Sequence, residues 1–129
     1  MRRVSAISLA RFTAVCRLLI GSSFLFSPER AMRPWIGSDA SRATSRLLTR
    51  VLGSRDLVLA VGTLTAGDSL RRWLAAALAA DAADVLLTIS ARDRLPRAGA
   101  ALVVAVAGGG VVLGGAALAS TRTRPEPPY

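Results

Sequence analysis

The chain has 129 residues and no lysine, histidine, asparagine or glutamine. Without histidine it lacks the commonest general base and the commonest transition-metal ligand. One cysteine, Cys16, excludes an intrachain disulfide framework. In its apolar setting it reads as a small apolar residue. Aromatics make up 5%, fewer than a water-soluble core of this size usually carries. No P-loop, Rossmann glycine pattern, nucleophile elbow, CxxC or HExxH occurs. These absences argue against an enzyme, and no cofactor or metal is expected.

Apolar residues are plentiful. They reach 52% of the chain, with a mean hydropathy of +0.45. They fall in blocks, as in membrane proteins, and Ala, Leu, Val and Gly supply most of them. All 17 basic residues are arginine, which suits a GC-rich bacterial genome. In a soluble protein a net charge of +9 would point to nucleic acid. Here the arginines lie mainly between and beside the apolar blocks. The expected partner is therefore the lipid bilayer with its anionic head groups, and no nucleic acid.

Four apolar segments predict helices over about residues 4–26, 47–66, 73–90 and 97–120. The second is 20 residues long, enough to cross about 30 Å of hydrocarbon. Arg2 and Arg3 begin the chain like a signal-peptide n-region, but Arg11 and Arg17 interrupt the apolar run. No small-residue cleavage site stands at Ser27-Pro28-Glu29-Arg30, so the first helix is expected to be retained. The stretch 28–46 is polar and holds Pro28, Pro34 and Gly37 as breakers. Trp35 and Ile36 there suit a membrane interface. Asp39 or Ser41 is the expected cap of the second span, and Asp68, after Gly67, that of the third. Pro96 suits the first turn of the fourth. Residues 121–129 read as a disordered, proline-rich tail.

The short connections predict an all-α fold: a four-helix transmembrane bundle, up-down-up-down, forming a single membrane domain over residues 1–120. Its place is the bacterial plasma membrane, as a multi-pass protein. Six arginines fall at one face and seven at the other, so the positive-inside rule sets no orientation. In the fourth helix Ala101, Ala105 and Gly109 lie four apart, and Gly110 and Gly114 form a GxxxG step. Such rows let helices approach closely in lipid, within the chain or in a homo-oligomer. Gly108-Gly109-Gly110 is also a place for a kink.

Charges inside the spans carry the sharpest signal. Arg55 lies 13 residues before Asp68 and Asp81 lies 13 after it. In a hairpin turning there, both sit roughly 20 Å from the turn. Asp84 is one turn further on the same face, opposite the region of Gly53 and Arg55, and Ala77, Asp81, Asp84 and Thr88 make a polar stripe. In the first span, Ala10, Thr13, Ala14, Arg17 and Gly21 make a small or polar face. Arg17 there reaches the same depth, whereas Arg11 is placed to snorkel outward. The expected cluster is Arg17, Arg55, Asp56, Asp81 and Asp84. Unpaired, five such charges would cost about 12–17 kcal/mol at bilayer depth. Pairing, protonation or a water-filled cavity has to remove most of that. Three readings stay open: structural glue, a proton or ion pathway, and a pocket for a lipid head group or small polar ligand. Asp81-x-x-Asp84 also resembles acidic metal motifs of membrane phosphotransferases, but Val85 follows and no second acidic pair appears.

Together these residues resemble a family of small four-helix bacterial membrane proteins. That family is a domain of unknown function, loosely similar in layout to DoxX-like proteins. The resemblance rests on Arg17, Gly21 and Pro28, on Gly53-Ser54-Arg55-Asp56 with Leu57-Val58-Leu59, and on Asp81 and Asp84. It implies an integral membrane protein and brings no reaction or site residues. The expected role is non-enzymatic, as an accessory or structural membrane protein with a membrane-protein partner or a second copy of itself. The alternative is a small proton-coupled transporter or permease working as an oligomer.

Overall fold

The computed structural model describes the backbone of residues 2–121 and the side chains of residues 7–121. The expected tail lies outside the described residues, apart from Thr121. The fold is all-α, with no strand among the described residues. Helix α1 spans Arg2–Phe26, α2 Pro28–Ile36, α3 Ala43–Leu64, α4 Leu70–Ser90 and α5 Arg97–Ser120. The four long helices match the predicted spans, with starts and ends moved by a few residues.

Helix α2 was not expected. Pro28 does not break the chain but opens α2 in its first turn, where a missing N–H costs nothing. Pro28 and Met32, one turn apart, are buried, and Arg30 and Arg33 face out. Burial of this short apolar stripe outweighs the polar composition of the segment. Gly37, at φ 66°, ends the helix, and its N–H bonds to the Arg33 carbonyl. Gly99, in the first turn of α5, faces the Pro34 and Trp35 carbonyls so closely that a Cβ would collide with them.

The expected caps are corrected too. Asp39 pairs with Arg42 at 3.1 Å instead of capping α3. Asp68 sits inside a 3-10 turn, Gly67–Ser69, and Ser69 precedes α4 without a side-chain cap bond. Gly67 takes φ 48°, as a tight turn demands. Pro96 stands one residue ahead of α5. The triple glycine stays within an unbroken α5.

Three segments are long and apolar enough to cross a membrane: Ile7–Phe26, Gly67–Ser90 and Arg97–Ser120. Helix α3 is not among these three. It has 22 residues, but Arg50, Arg55 and Asp56 lie within its apolar run.

The packing is close between α1 and α3, between α4 and α5, and between α1 and α5. The contact between α3 and α4 is thinner, although they are joined by a short turn. Each consecutive pair of long helices runs antiparallel. Gly21 and Gly53 mark the crossing of α1 and α3. A Cβ on Gly21 would stand 2.8 Å from the Gly53 carbonyl, and one on Gly53 would stand 2.7 Å from the Gly21 carbonyl. Near the α3–α4 turn the Trp73 ring lies against Gly62, with no room for a Cβ. A small core of Ala10, Leu74 and Ala117 ties α1, α4 and α5 at that end.

Apart from Leu59 and Leu74, buried positions on the long helices are small or polar, and the outer faces are mainly apolar. Arg17, Thr49, Asp56, Thr63, Asp81 and Thr88 are buried, while Phe12, Leu19, Val58, Leu86 and Val112 are exposed. The charge-bearing α3 shares this pattern, with Leu47, Leu48, Val51, Val58 and Val61 outward. A single Gly53→Leu change should force α1 and α3 apart and cost about 1–3 kcal/mol. The detergent-solubilised variant should melt lower than a control at Gly108, where a Cβ meets open space. An equal melting temperature would show that the crossing is not close.

Candidate functional site

The five predicted charged residues meet in one network. Arg17 comes from the small face of α1, where Ala10, Ala14 and Gly21 are also buried. Its Nη1 donates to Asp56 Oδ1 at 3.1 Å, and its Nη2 donates to Asp81 Oδ2 at 2.6 Å. The same Nη2 also donates to the Ala77 carbonyl at 3.1 Å. Arg55, on α3, holds Asp84 in a two-pronged grip of 3.0 and 2.8 Å. Its Nη2 shares Asp56 Oδ1, again at 3.1 Å. Asp56 therefore bridges the two guanidiniums, and the network ties α1, α3 and α4 together. Arg11 stays outside it and is exposed, as its place in the sequence suggested.

The expectation gave Arg55 the depth of Asp81 and put Asp84 opposite the region of Gly53 and Arg55; Arg55 bonds Asp84. Side chains on a helix lean toward its N-terminus. On α3 that direction leads away from the α3–α4 turn and carries the long Arg55 side chain to Asp84. On α1 it leads toward the turn end, which brings Arg17 to Asp81 and the Ala77 carbonyl. The predicted polar stripe on α4 holds: Ala77, Asp81 and Thr88 are buried, and Asp84 is half-buried.

The packing residues expected on α5 divide. Gly110 lies against the Asp81 carboxylate with no room for a Cβ. Gly114 is buried, and a Cβ there would touch Leu78 at 4.0 Å. Ala101 and Ala105 are exposed, and a Cβ on Gly109 would meet nothing within 4 Å. The row that packs within the chain is instead Gly99, Ala107, Gly114 and Ala117, all buried. It keeps to the 3.6-residue period, which a strict four-residue step drifts away from.

Sequence reasoning named a cavity or pocket at the charges as one reading but did not locate it. A cavity of about 730 Å³ lies among α1, α2, α3 and α5. All five charged residues line it, on the side that α4 reaches with Asp81 and Asp84. The rest of its wall is mainly apolar, with Phe12, Phe24 and Trp35 as its aromatic members. Arg30 of α2 also lines it and is itself exposed. The one available signal was the spacing of Pro28, Met32 and Trp35, an apolar stripe inside a segment read as a loop.

Compared with protein families, with curated proteins and with solved structures, the chain matches none.

Removing Arg17 would leave two buried carboxylates short of a partner. Arg17→Met should therefore cost about 3–5 kcal/mol in equilibrium unfolding. Arg42→Met, which removes only the exposed pair with Asp39, should cost about 1 kcal/mol or less. Equal losses would mean that the network is solvated and holds nothing.

Proposed function

We propose that the chain is a multi-pass protein of the bacterial plasma membrane, built as an up-down-up-down bundle of four transmembrane helices. In this reading α3 is the fourth span and α2 an interfacial helix. The observation that carries it is the inverted distribution of polarity. The outer faces of all four long helices are mainly apolar, with Arg11 and Arg50 exposed on them, and Arg55 and Asp56 of α3 turn inward to ion partners. Charges so arranged need no water from outside. Kinship with the small four-helix membrane proteins that the Gly53-Ser54-Arg55-Asp56 segment resembles belongs to the same reading.

The role is non-enzymatic, as an accessory or structural membrane protein, and the network is its internal brace. An architectural network should tolerate joint replacement by apolar residues. Arg17→Met combined with Asp81→Leu should regain at least half of the stability that Arg17→Met alone loses. A further loss would refute the architectural role.

Reporter fusions test the topology. Fusions in the 65–69 turn and at both termini should report one side of the membrane, and fusions at 37–42 and 91–96 the other. If residues 65–69 report the same side as 37–42, α3 does not cross and the four-span reading falls.

A second reading is supported by one observation. Three carboxylates face two guanidiniums at the edge of a cavity. That imbalance suits a proton-coupled transporter or permease, which four helices would form as a homo-oligomer. Such a protein should keep its fold with Asp81→Asn while losing proton uptake by the purified, lipid-embedded form. Unchanged proton uptake would reject it.

A further inference from the structure

The network is not closed. Both oxygens of Asp84 are held by Arg55. Asp56 uses only Oδ1, and Asp81 only Oδ2. Asp56 Oδ2 and Asp81 Oδ1 accept no hydrogen bond among the described residues, although these two side chains are 9% and 12% exposed. Neither oxygen is sealed off, so each is open to a partner arriving from the cavity. Two guanidiniums against three carboxylates leave one formal negative charge. Both incomplete carboxylates line the cavity.

The cavity defines what can answer that charge. At about 730 Å³ it falls within the range of small-molecule sites, about 300–1,000 Å³. A metal ion needs far less room and about six oxygen ligands, and two free carboxylate oxygens do not supply them. An anion would add to the excess negative charge, and Arg17 already donates to three acceptors; the buried Arg55 Nε and Trp35 Nε1, which have no partner among the described residues, can serve an uncharged acceptor group on the same ligand. The walls are apolar, and Phe12, Phe24 and Trp35 offer ring faces of the kind that attract cations. Arg30 opposes a cation, but it is exposed, and solvent screens it. Phe12 on α1 and Leu102 and Val106 on α5 line the cavity while standing 58%, 49% and 52% exposed. Part of the cavity wall on α1 and α5 thus lies at the protein surface, on the face that the four-span reading turns to lipid.

We infer that the cavity binds a lipophilic cation, a ligand with a single positive charge carried among apolar groups. The charge lies against Asp81 and Asp56. The apolar groups lie against the aromatic wall and enter between α1 and α5. This inference rests on the four-span reading for its route of entry.

The test uses the full chain in lipid nanodiscs and equilibrium dialysis of tetraphenylphosphonium, with empty nanodiscs to subtract partition into lipid. Tetraphenylborate, of the same shape and opposite charge, is dialysed separately as the control. Saturable uptake of one cation per chain is expected, and no saturable uptake of tetraphenylborate. Asp81→Asn should weaken binding about tenfold or more, equivalent to about 1.4 kcal/mol. Because that change also touches the brace, Gly109→Phe is the second variant. It places a ring in the cavity from a position where a Cβ has no neighbour within 4 Å. Binding should be lost while helix content and melting stay those of the wild type. Absence of saturable uptake by the folded wild type would overturn the inference, as would equal saturable uptake of tetraphenylborate in its separate dialysis or full affinity in folded Gly109→Phe. Each of these leaves the reporter-fusion topology standing, and a failed topology leaves the dialysis result readable.

Discussion

Arg17 cannot shed its charge, and it is buried among helices whose outer faces are mainly apolar. Much else in the structure depends on that constraint. The guanidinium has to find acceptors inside, and it finds three: Asp56, Asp81 and the Ala77 carbonyl. Asp56 sits beside Arg55 in sequence, so burying one brings in the other. Arg55 in turn needs Asp84. A single buried base thereby commits α1, α3 and α4 to one arrangement. Their register is fixed by side-chain geometry rather than by the fit of large apolar groups.

Small residues make this arrangement reachable. Arg17 can reach Asp56 because α1 and α3 cross almost in backbone contact at Gly21 and Gly53. Asp81 keeps its place because Gly110 offers no Cβ to displace it. In lipid, with no hydrophobic force between helices, such close approach is the main source of attraction. The same economy of bulk leaves space elsewhere. Gly109 and Gly110 fill little of the volume opposite Phe12 and Cys16, and the cavity is what remains.

Much of this could be read from the chain. The four long helices are legible in the block lengths, and the five charged residues in their depth within those blocks. The small face of α1 and the polar stripe of α4 come from helical periodicity. Other features needed three dimensions. How the charges pair off, with Arg17 on Asp81 and Arg55 on Asp84, depends on which way side chains lean on antiparallel helices. Helix α2 is stabilised by burying Met32 and Pro28 against distant segments, a tertiary effect that its local composition conceals. The packing row of α5 could not be picked from its many alanines and glycines. With small residues on every side, that helix has no sequence-level face, and its neighbours decide which one turns inward.

A brace and a binding floor are compatible roles for one set of charges. A site that recognises a charge gains most when its groups are already held in place before the ligand arrives. Asp81 is fixed by Arg17 through one oxygen, and Asp56 by both arginines through one oxygen. Each keeps its second oxygen free. A purely structural network gains nothing from the unmatched carboxylate, because two acids would have satisfied two bases. Nor does it gain from a cavity of about 730 Å³ along its edge. The excess charge and the empty volume occur at the same place, and a cationic guest accounts for both.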